Sequence, residues 1–389
     1  MTDTQRSLIL ILKSAITGEP CVLPEGFRLK DPAALAKKHH ILPLFYTGAA
    51  CCGVPANDPL MQRIFQDYLR ALLYGEGQLK QIERISRAFQ QEGIDFLPLK
   101  GCNLKPLYPK QELRPMGDAD ILIRMEQYDK IRPIMEGLGF TEKDESDHEL
   151  IWEHPALHLE LHKRIIPSYD RDFYACFGDG WDRAKSVEGS RYVMKAEDEY
   201  LYLFTHFSKH YRYGGIGCRH VLDLWIWRRT YPHMDEDYIR RQLEILHLSI
   251  FHENILRLID HWFGNGDSDA ITEHLTDFIM SCGSWGHADL MYQSMVLRDS
   301  QDQGSVRRNN FFSILRMLCP PADVLCLRYP VLNRLPWLLP VFWPVRWITA
   351  LLFRRHHIRD EQKFRKTISV EQVKTREAAL KAVGLAFHF

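Results

Sequence analysis

The sharpest chemical signal in the sequence is a pair of aspartates one residue apart, in Gly117-Asp118-Ala119-Asp120-Ile121-Leu122-Ile123. The apolar residues around the pair predict a strand. Side chains along a strand alternate faces, so Asp118 and Asp120 project to one side while Ala119 and Ile121 face a core. Two carboxylates held about 4 Å apart repel by roughly 4 kcal/mol at an effective dielectric near 20. A cation relieves that repulsion. Oxygen ligands on a rigid strand suit Mg²⁺, which prefers one or two carboxylates, waters and substrate phosphates. Taken alone, the pair equally fits two solvated aspartates at a sheet edge, so neighbouring segments must decide.

Two segments add weight to the metal reading. Leu97-Pro98-Leu99-Lys100-Gly101-Cys102-Asn103 reads as a strand that ends in glycine and turns into a helix. Glycine permits close backbone approach, and the free N–H groups of a helix start receive phosphate. In His158-Leu159-Glu160-Leu161-His162, the period of two puts His158, Glu160 and His162 on one face. Delivered by a neighbouring strand, Glu160 completes a triad with Asp118 and Asp120. Such a third carboxylate binds the metal that activates an acceptor, or serves as its general base. The plain alternatives are a strand-to-helix turn and an edge-strand surface.

Supporting residues have two readings each. Arg114, four residues before Asp118, offers bidentate contacts to phosphate or is a surface arginine. Lys100 reaches a phosphate or pairs with Asp118. His206 and His210 have the i,i+4 spacing of helix metal ligands, but Phe207 stands where a zinc protease motif needs glutamate. They line a cleft or pack internally. His162 orients Glu160 or sits at the surface. Arg219 and Asp223 have the spacing of a helix ion pair. Tyr211, Tyr213, Trp225 and Trp227 read as helix packing, with base stacking as the alternative.

These residues need a scaffold, and the pattern supplies one in four parts. Residues 1–93 are helical, with 57–92 the longest helix, capped by Asn57 or Asp58 and bent or divided at Gly75 and Gly77. Residues 94–195 form the core. Strands are expected at 95–100, 119–123, 140–143, 149–153 and 157–162, and a helix at 126–138 closed by Gly139. Residues 196–304 are helical again, over 197–211, 217–229 and 249–263, with Ser249 as N-cap. Residues 305–389 form a basic tail rich in proline and tryptophan that packs on the body.

Composition narrows the class. The chain has 389 residues, ample for a sizeable core, and its 46% hydrophobic and 26% charged residues are ordinary for a globular protein. Fifty basic residues balance fifty acidic ones, so net charge gives no strong nucleic-acid signal. Nine scattered cysteines without a C-x-x-C pair indicate neither a zinc ribbon nor a disulfide framework. Reduced cysteines and a first apolar run that is short and preceded by Asp3 point to a cytoplasmic protein. The apolar stretch Leu335–Phe353 approaches a membrane span, but Arg346, Pro336, Pro340 and Pro344 interrupt it. Residues 335–357 are read as packing on the protein's own core. Contact with a membrane surface through Arg354, Arg355, His356 and His357 is the less favoured reading.

A strand, Lys100-Gly101, a short helix, Arg114-Pro-Met-Gly-Asp118-Ala-Asp120 and a later acidic strand together resemble the nucleotidyltransferase superfamily of DNA polymerase β type. More closely, they resemble its bacterial family of uncharacterised nucleotidyltransferases. Leu99-Lys100-Gly101, Tyr108-Pro109, Arg114 to Asp120 and Leu161-His162 match that family's motifs. Ala36-Lys-Lys-His-His40, Leu42-Pro-Leu-Phe45, His206-x-x-x-His210 and Arg219-x-x-x-Asp223 extend the likeness over most of residues 30–230. The resemblance implies an α+β fold, a mixed β-sheet flanked by helical N- and C-terminal regions. It implies a transferase of EC 2.7.7 type that moves a nucleoside monophosphate from ATP or another triphosphate to an acceptor hydroxyl, releasing pyrophosphate. Asp118, Asp120 and Glu160 would hold Mg²⁺, or Mn²⁺ in its place, and Lys100, Gly101, Cys102 and Arg114 would hold the nucleotide. The acceptor, a small molecule or a protein, is not specified. One departure is Cys102 where the superfamily has serine: a thiol is a weaker donor, which shifts the phosphate grip to backbone N–H groups, Lys100 or Arg114. A catalytically silent nucleotide-binding module is therefore an alternative. A second is a metal-dependent hydrolase on His158, Glu160, His162, His206 and His210.

Overall fold

Alternating apolar residues in short runs, broken by turns, give this chain its strands, and in a computed structural model the described residues form one seven-stranded mixed sheet. Described are residues 1–168, 170–284, 286–301, 331–353 and 369–387, with Cys319, Leu325 and Tyr329 as single positions. The strands are β1 (Phe96–Leu99), β2 (Asp118–Ile123), β3 (Thr141–Glu145), β4 (Glu149–His154), β5 (Leu157–His162), β6 (Ala184–Glu188) and β7 (Arg191–Met194). Their order across the sheet is β3-β4-β5-β2-β1-β7-β6. β2 lies parallel to β5 and antiparallel to β1, and β1 lies parallel to β7.

The alternation expected for β2 and β5 sets the two faces of the sheet. Ala119, Ile121 and Ile123 from β2 join Leu157, Leu159 and Leu161 from β5 in the buried core, together with Trp152 from β4. Two helices cover this face: α4 (Pro59–Gln91) through Ile85 and Phe89, and α6 (Tyr128–Gly137) through Ile131 and Met135. The polar residues of β2 and β5 are thereby turned to the other face. Burying side chains of this size contributes roughly 2 kcal/mol apiece, so a one-residue slip in β2 would forfeit the whole layer.

The helices follow their local signals: α1 (Asp3–Thr17), α2 (Lys30–Lys38) and α3 (Leu42–Cys51) precede α4, and α7 (Arg171–Phe177) precedes β6. α4 starts at Pro59 with Asp58 as N-cap, its carboxylate accepting from the N–H groups of Leu60 and Met61. It runs unbroken through Gly75 and Gly77. Gly75 is buried, and an added Cβ would come within 3.2 Å of the Glu112 backbone, so close packing explains the residue rather than a bend. Downstream, α8 (Ala196–Tyr213), α9 (Cys218–Thr230) and α11 (Ser249–Phe263) lie where the periodicity puts them, with α10 (Glu236–Ile245) between the last two. Ser249 is the first residue of α11 rather than its cap, and Leu248 holds the cap position without a side-chain bond.

Two compact units divide the chain: Met1–Ser208 with Ile216–Trp285, and Lys209–Gly215 with Gly286–Phe389. The first contains the whole sheet. In the second, Arg376 on the helix Val370–Ala382 donates to the carbonyls of Tyr211 and Arg212. The helix Leu339–Phe353 carries most of the apolar stretch noted above, while Arg354, Arg355, His356 and His357 lie outside the described residues. Among the described residues no helix is long and apolar enough to cross a membrane.

Candidate active site

Parallel pairing of β2 with β5 places Asp118 opposite His158 and Asp120 opposite Glu160. Residue 160 therefore shares a face with residues 118 and 120. Ligand atoms of Asp120, Glu160 and His162 lie within 4.8 Å of one another, and among the described residues no other group of three or more metal-ligating side chains does so. The period of two that carries Glu160 onto this face also carries His162, whose Nε2 stands 2.8 Å from Asp120 Oδ1 and 3.5 Å from Glu160 Oε2.

Lys100 faces the same carboxylate. At the end of β1 its Nζ donates to Asp120 Oδ1 over 2.6 Å. Its backbone has φ of 44°, a left-handed conformation that costs a non-glycine residue roughly 1 kcal/mol or more. That turn aims the side chain back across the sheet. It also starts the one-turn helix α5 (Gly101–Leu104). Gly101 is tightly packed there: a Cβ would fall 2.7 Å from Met116 Sδ and 3.0 Å from Arg114 Nη1, so those side chains would have to shift.

The charges are strongly coupled. Burial works against the Asp120 carboxylate, but the Lys100 ammonium and the His162 bond outweigh it and hold the carboxyl well below its usual range. Burial likewise opposes charge on Lys100, and Asp120, Tyr202, Asp118 and Glu160 together keep it well above its ordinary value. Asp118 has no such partner: burial, with Asp120 nearby, raises its carboxyl. Three carboxylates thus share one face, and only Asp120 makes a direct ion pair with a lysine. The Asp120–Glu160–His162 group could hold a divalent cation, and Asp118, on the same face of the sheet, lies outside that group.

Arg114 is placed differently from a phosphate-facing loop residue. It is buried, and its Nε and Nη2 each donate to Asp223 on α9 over 2.9 Å. Tyr108 donates to the same carboxylate at 2.7 Å. Asp223 therefore bonds Arg114 rather than closing the expected helix pair with Arg219, which donates to Pro115 O. Gln78 on α4 donates to Met116 O. Together these bonds pin the loop that leads into Asp118. Cys102 lies behind the site, where burial and the nearby Asp120 push its thiol up to about 12, so it stays protonated.

His206 is half-buried and His210 exposed, and neither belongs to the Asp120–Glu160–His162 group. His158 donates toward Glu153, with Nδ1 at 2.6 Å. Sequence reasoning missed three site neighbours. Glu149, opposite His162 on β4, pairs with His148. Glu199 on α8 is buried beside the Lys100 turn, and burial pushes its carboxyl up to about 7. Tyr202, one turn later, faces Lys100. Acidic residues in a first helical turn read as ordinary capping charge, so nothing local marked Glu199.

A mixed sheet flanked by helices, with a D-x-D strand beside an acidic strand, is a nucleotidyltransferase-type fold. The chain belongs to the family of uncharacterised nucleotidyltransferases, whose model matches residues 27–264. No curated protein and no solved structure matches it. The match spans the sheet, the pinned loop and α9, and membership implies a nucleoside triphosphate as substrate.

Proposed function

We propose that the protein transfers a nucleoside monophosphate from a nucleoside triphosphate to an acceptor hydroxyl, with Asp118, Asp120 and Glu160 holding a divalent ion, Mg²⁺ or Mn²⁺. The observation that carries this reading is the register that sets Asp120 directly opposite Glu160 on parallel strands. When bound, the ion neutralises phosphate charge and lowers the pKa of the acceptor hydroxyl.

The acceptor oxygen attacks the α-phosphorus in line, forming the new P–O bond as the bond to the β-phosphate oxygen breaks and pyrophosphate leaves. Glu160, whose side chain is 17% exposed, faces the acceptor and takes the hydroxyl proton. Lys100 neutralises negative charge beside Asp120. The backbone N–H groups at Gly101 receive phosphate, since the protonated, half-buried Cys102 thiol is a poor donor. Arg114 contributes by fixing the loop before Asp118.

A second reading has support in one observation. Arg114 is committed to Asp223, which leaves a short phosphate grip and favours a silent nucleotide-binding module. Incubation with each of four α-labelled triphosphates and a cell extract separates the two. Labelled product with stoichiometric pyrophosphate supports transfer, whereas triphosphate binding with neither supports the module.

A further inference from the structure

Glu160 and His162 leave β5 on the same face two residues apart, and the imidazole is nearly fully buried beside Asp120. Its Nε2 sits 2.8 Å and 3.5 Å from one oxygen of each carboxylate. Ligands about 2.1 Å from a common ion, at right angles, stand about 3 Å from one another, so these separations are those of neighbouring ligands around one small cation. Asp120 Oδ1 accepts from Nε2–H at 2.8 Å, so an ion ligated by Nε2 takes the place of that proton, as metal binding to imidazole requires. Lys100 touches the same Asp120 oxygen, which shows that this spot already draws a cation, and a carboxylate oxygen has a second lone pair for another.

We propose that His162 Nε2 is a direct metal ligand, giving an imidazole–carboxylate site that takes a first-row transition-metal ion in preference to Mg²⁺. This assignment rests on the metal-dependent reading of the site and specifies its ion class. Mg²⁺ favours oxygen donors and gives up water reluctantly, whereas a nitrogen donor suits the transition metals. His162 then acts on the substrate only through the ion it holds, and Asp118, without a lysine partner, completes the site from the next residue pair of the register.

Mn²⁺ is the probe, because it is visible by electron paramagnetic resonance. Spin-echo spectra of the Mn²⁺-loaded full chain are expected to show nitrogen modulation that changes when the protein is labelled with ¹⁵N-histidine. The modulation is retained in His158→Asn and lost in His162→Asn. Calorimetry on the unlabelled protein is expected to give Mn²⁺ binding at least about tenfold tighter than Mg²⁺. Mn²⁺ binding without histidine modulation in the wild-type protein overturns this assignment while leaving the proposed function standing. A protein that binds neither ion, with or without triphosphate, overturns both.

Discussion

Arg114 and Asp223, 109 residues apart in the chain, meet through two parallel hydrogen bonds of 2.9 Å in a buried setting. The pair ties the loop before β2 to α9. Breaking one partner of such a buried pair leaves an uncompensated charge and costs about 3–5 kcal/mol. Asp223→Ala and Arg114→Ala are both expected to lower stability by that order in urea unfolding, and Arg114→Lys to recover only part of it, because lysine lacks the fork. Unchanged stability with lost triphosphate affinity would instead return Arg114 to the phosphate.

Gly101→Ala tests the packing at the turn. The new methyl meets Met116 Sδ, Met116 Cγ and Arg114 Nη1, all within 3.0 Å. Overpacking of this kind costs about 1–3 kcal/mol. Combining it with Met116→Ala relieves two of the three contacts, so the double variant is expected to be less destabilised than the sum of the single ones. Simple additivity, read from thermal unfolding, would show that the glycine answers to something else.

Lys100 stabilises the site when no divalent ion is bound. Lys100→Met is expected to destabilise the protein by about 3 kcal/mol, because Asp120 is left buried beside Asp118 without its ammonium. Lys100→Gly should be less harmful, by roughly 1 kcal/mol, since glycine adopts φ of 44° without strain. In both variants added Mn²⁺ should raise the melting temperature more than it does in the wild type. An equal rise in all three proteins would show that lysine and metal do not act at the same place.

His39 makes a pH prediction far from the chemistry. Its Nδ1 accepts from the Cys218 N–H, and its Nε2–H donates to Met280 O, so only one neutral tautomer satisfies both bonds. Burial then depresses its pKa from 6.5 to about 4. The unfolded chain takes up a proton first, so this stabilisation is whole above pH 6.5 and drains away as pH falls toward 4. The loss is on the order of 3 kcal/mol. Relative to His39→Gln, wild-type stability should therefore fall across that window. Parallel pH curves for the two proteins would rule the histidine out.

The carboxylate face of the candidate site was legible in the sequence because a strand's period is local. Asp118 with Asp120, and Glu160 with His162, each declare a shared face within three residues. That the two faces would coincide was an expectation resting on pairing, and the parallel register of β2 and β5 supplies it. Strands β6 and β7 went unseen: they are short, half their side chains are exposed, and they are strands chiefly because they pair with each other and with the edge of β1. The Arg114–Asp223 bond escaped for a related reason. Both residues advertise a local partner, phosphate in one case and Arg219 in the other, and folding gives them each other. Glu199 and Tyr202 are near Lys100 only because α8 packs behind the turn, a relationship with no trace in spacing.

Titration of a nucleoside triphosphate into wild-type protein and into Asp118→Asn, in the presence of Mg²⁺ or Mn²⁺, bears most directly on whether these carboxylates hold a metal against phosphates. Asp118 has no lysine partner, so its amide variant should keep the fold. The account predicts saturable, metal-dependent binding by the wild type and a loss of at least about a hundredfold in affinity for the variant, matched by loss of pyrophosphate release. Binding of equal strength by both proteins, or binding indifferent to the metal, would contradict it.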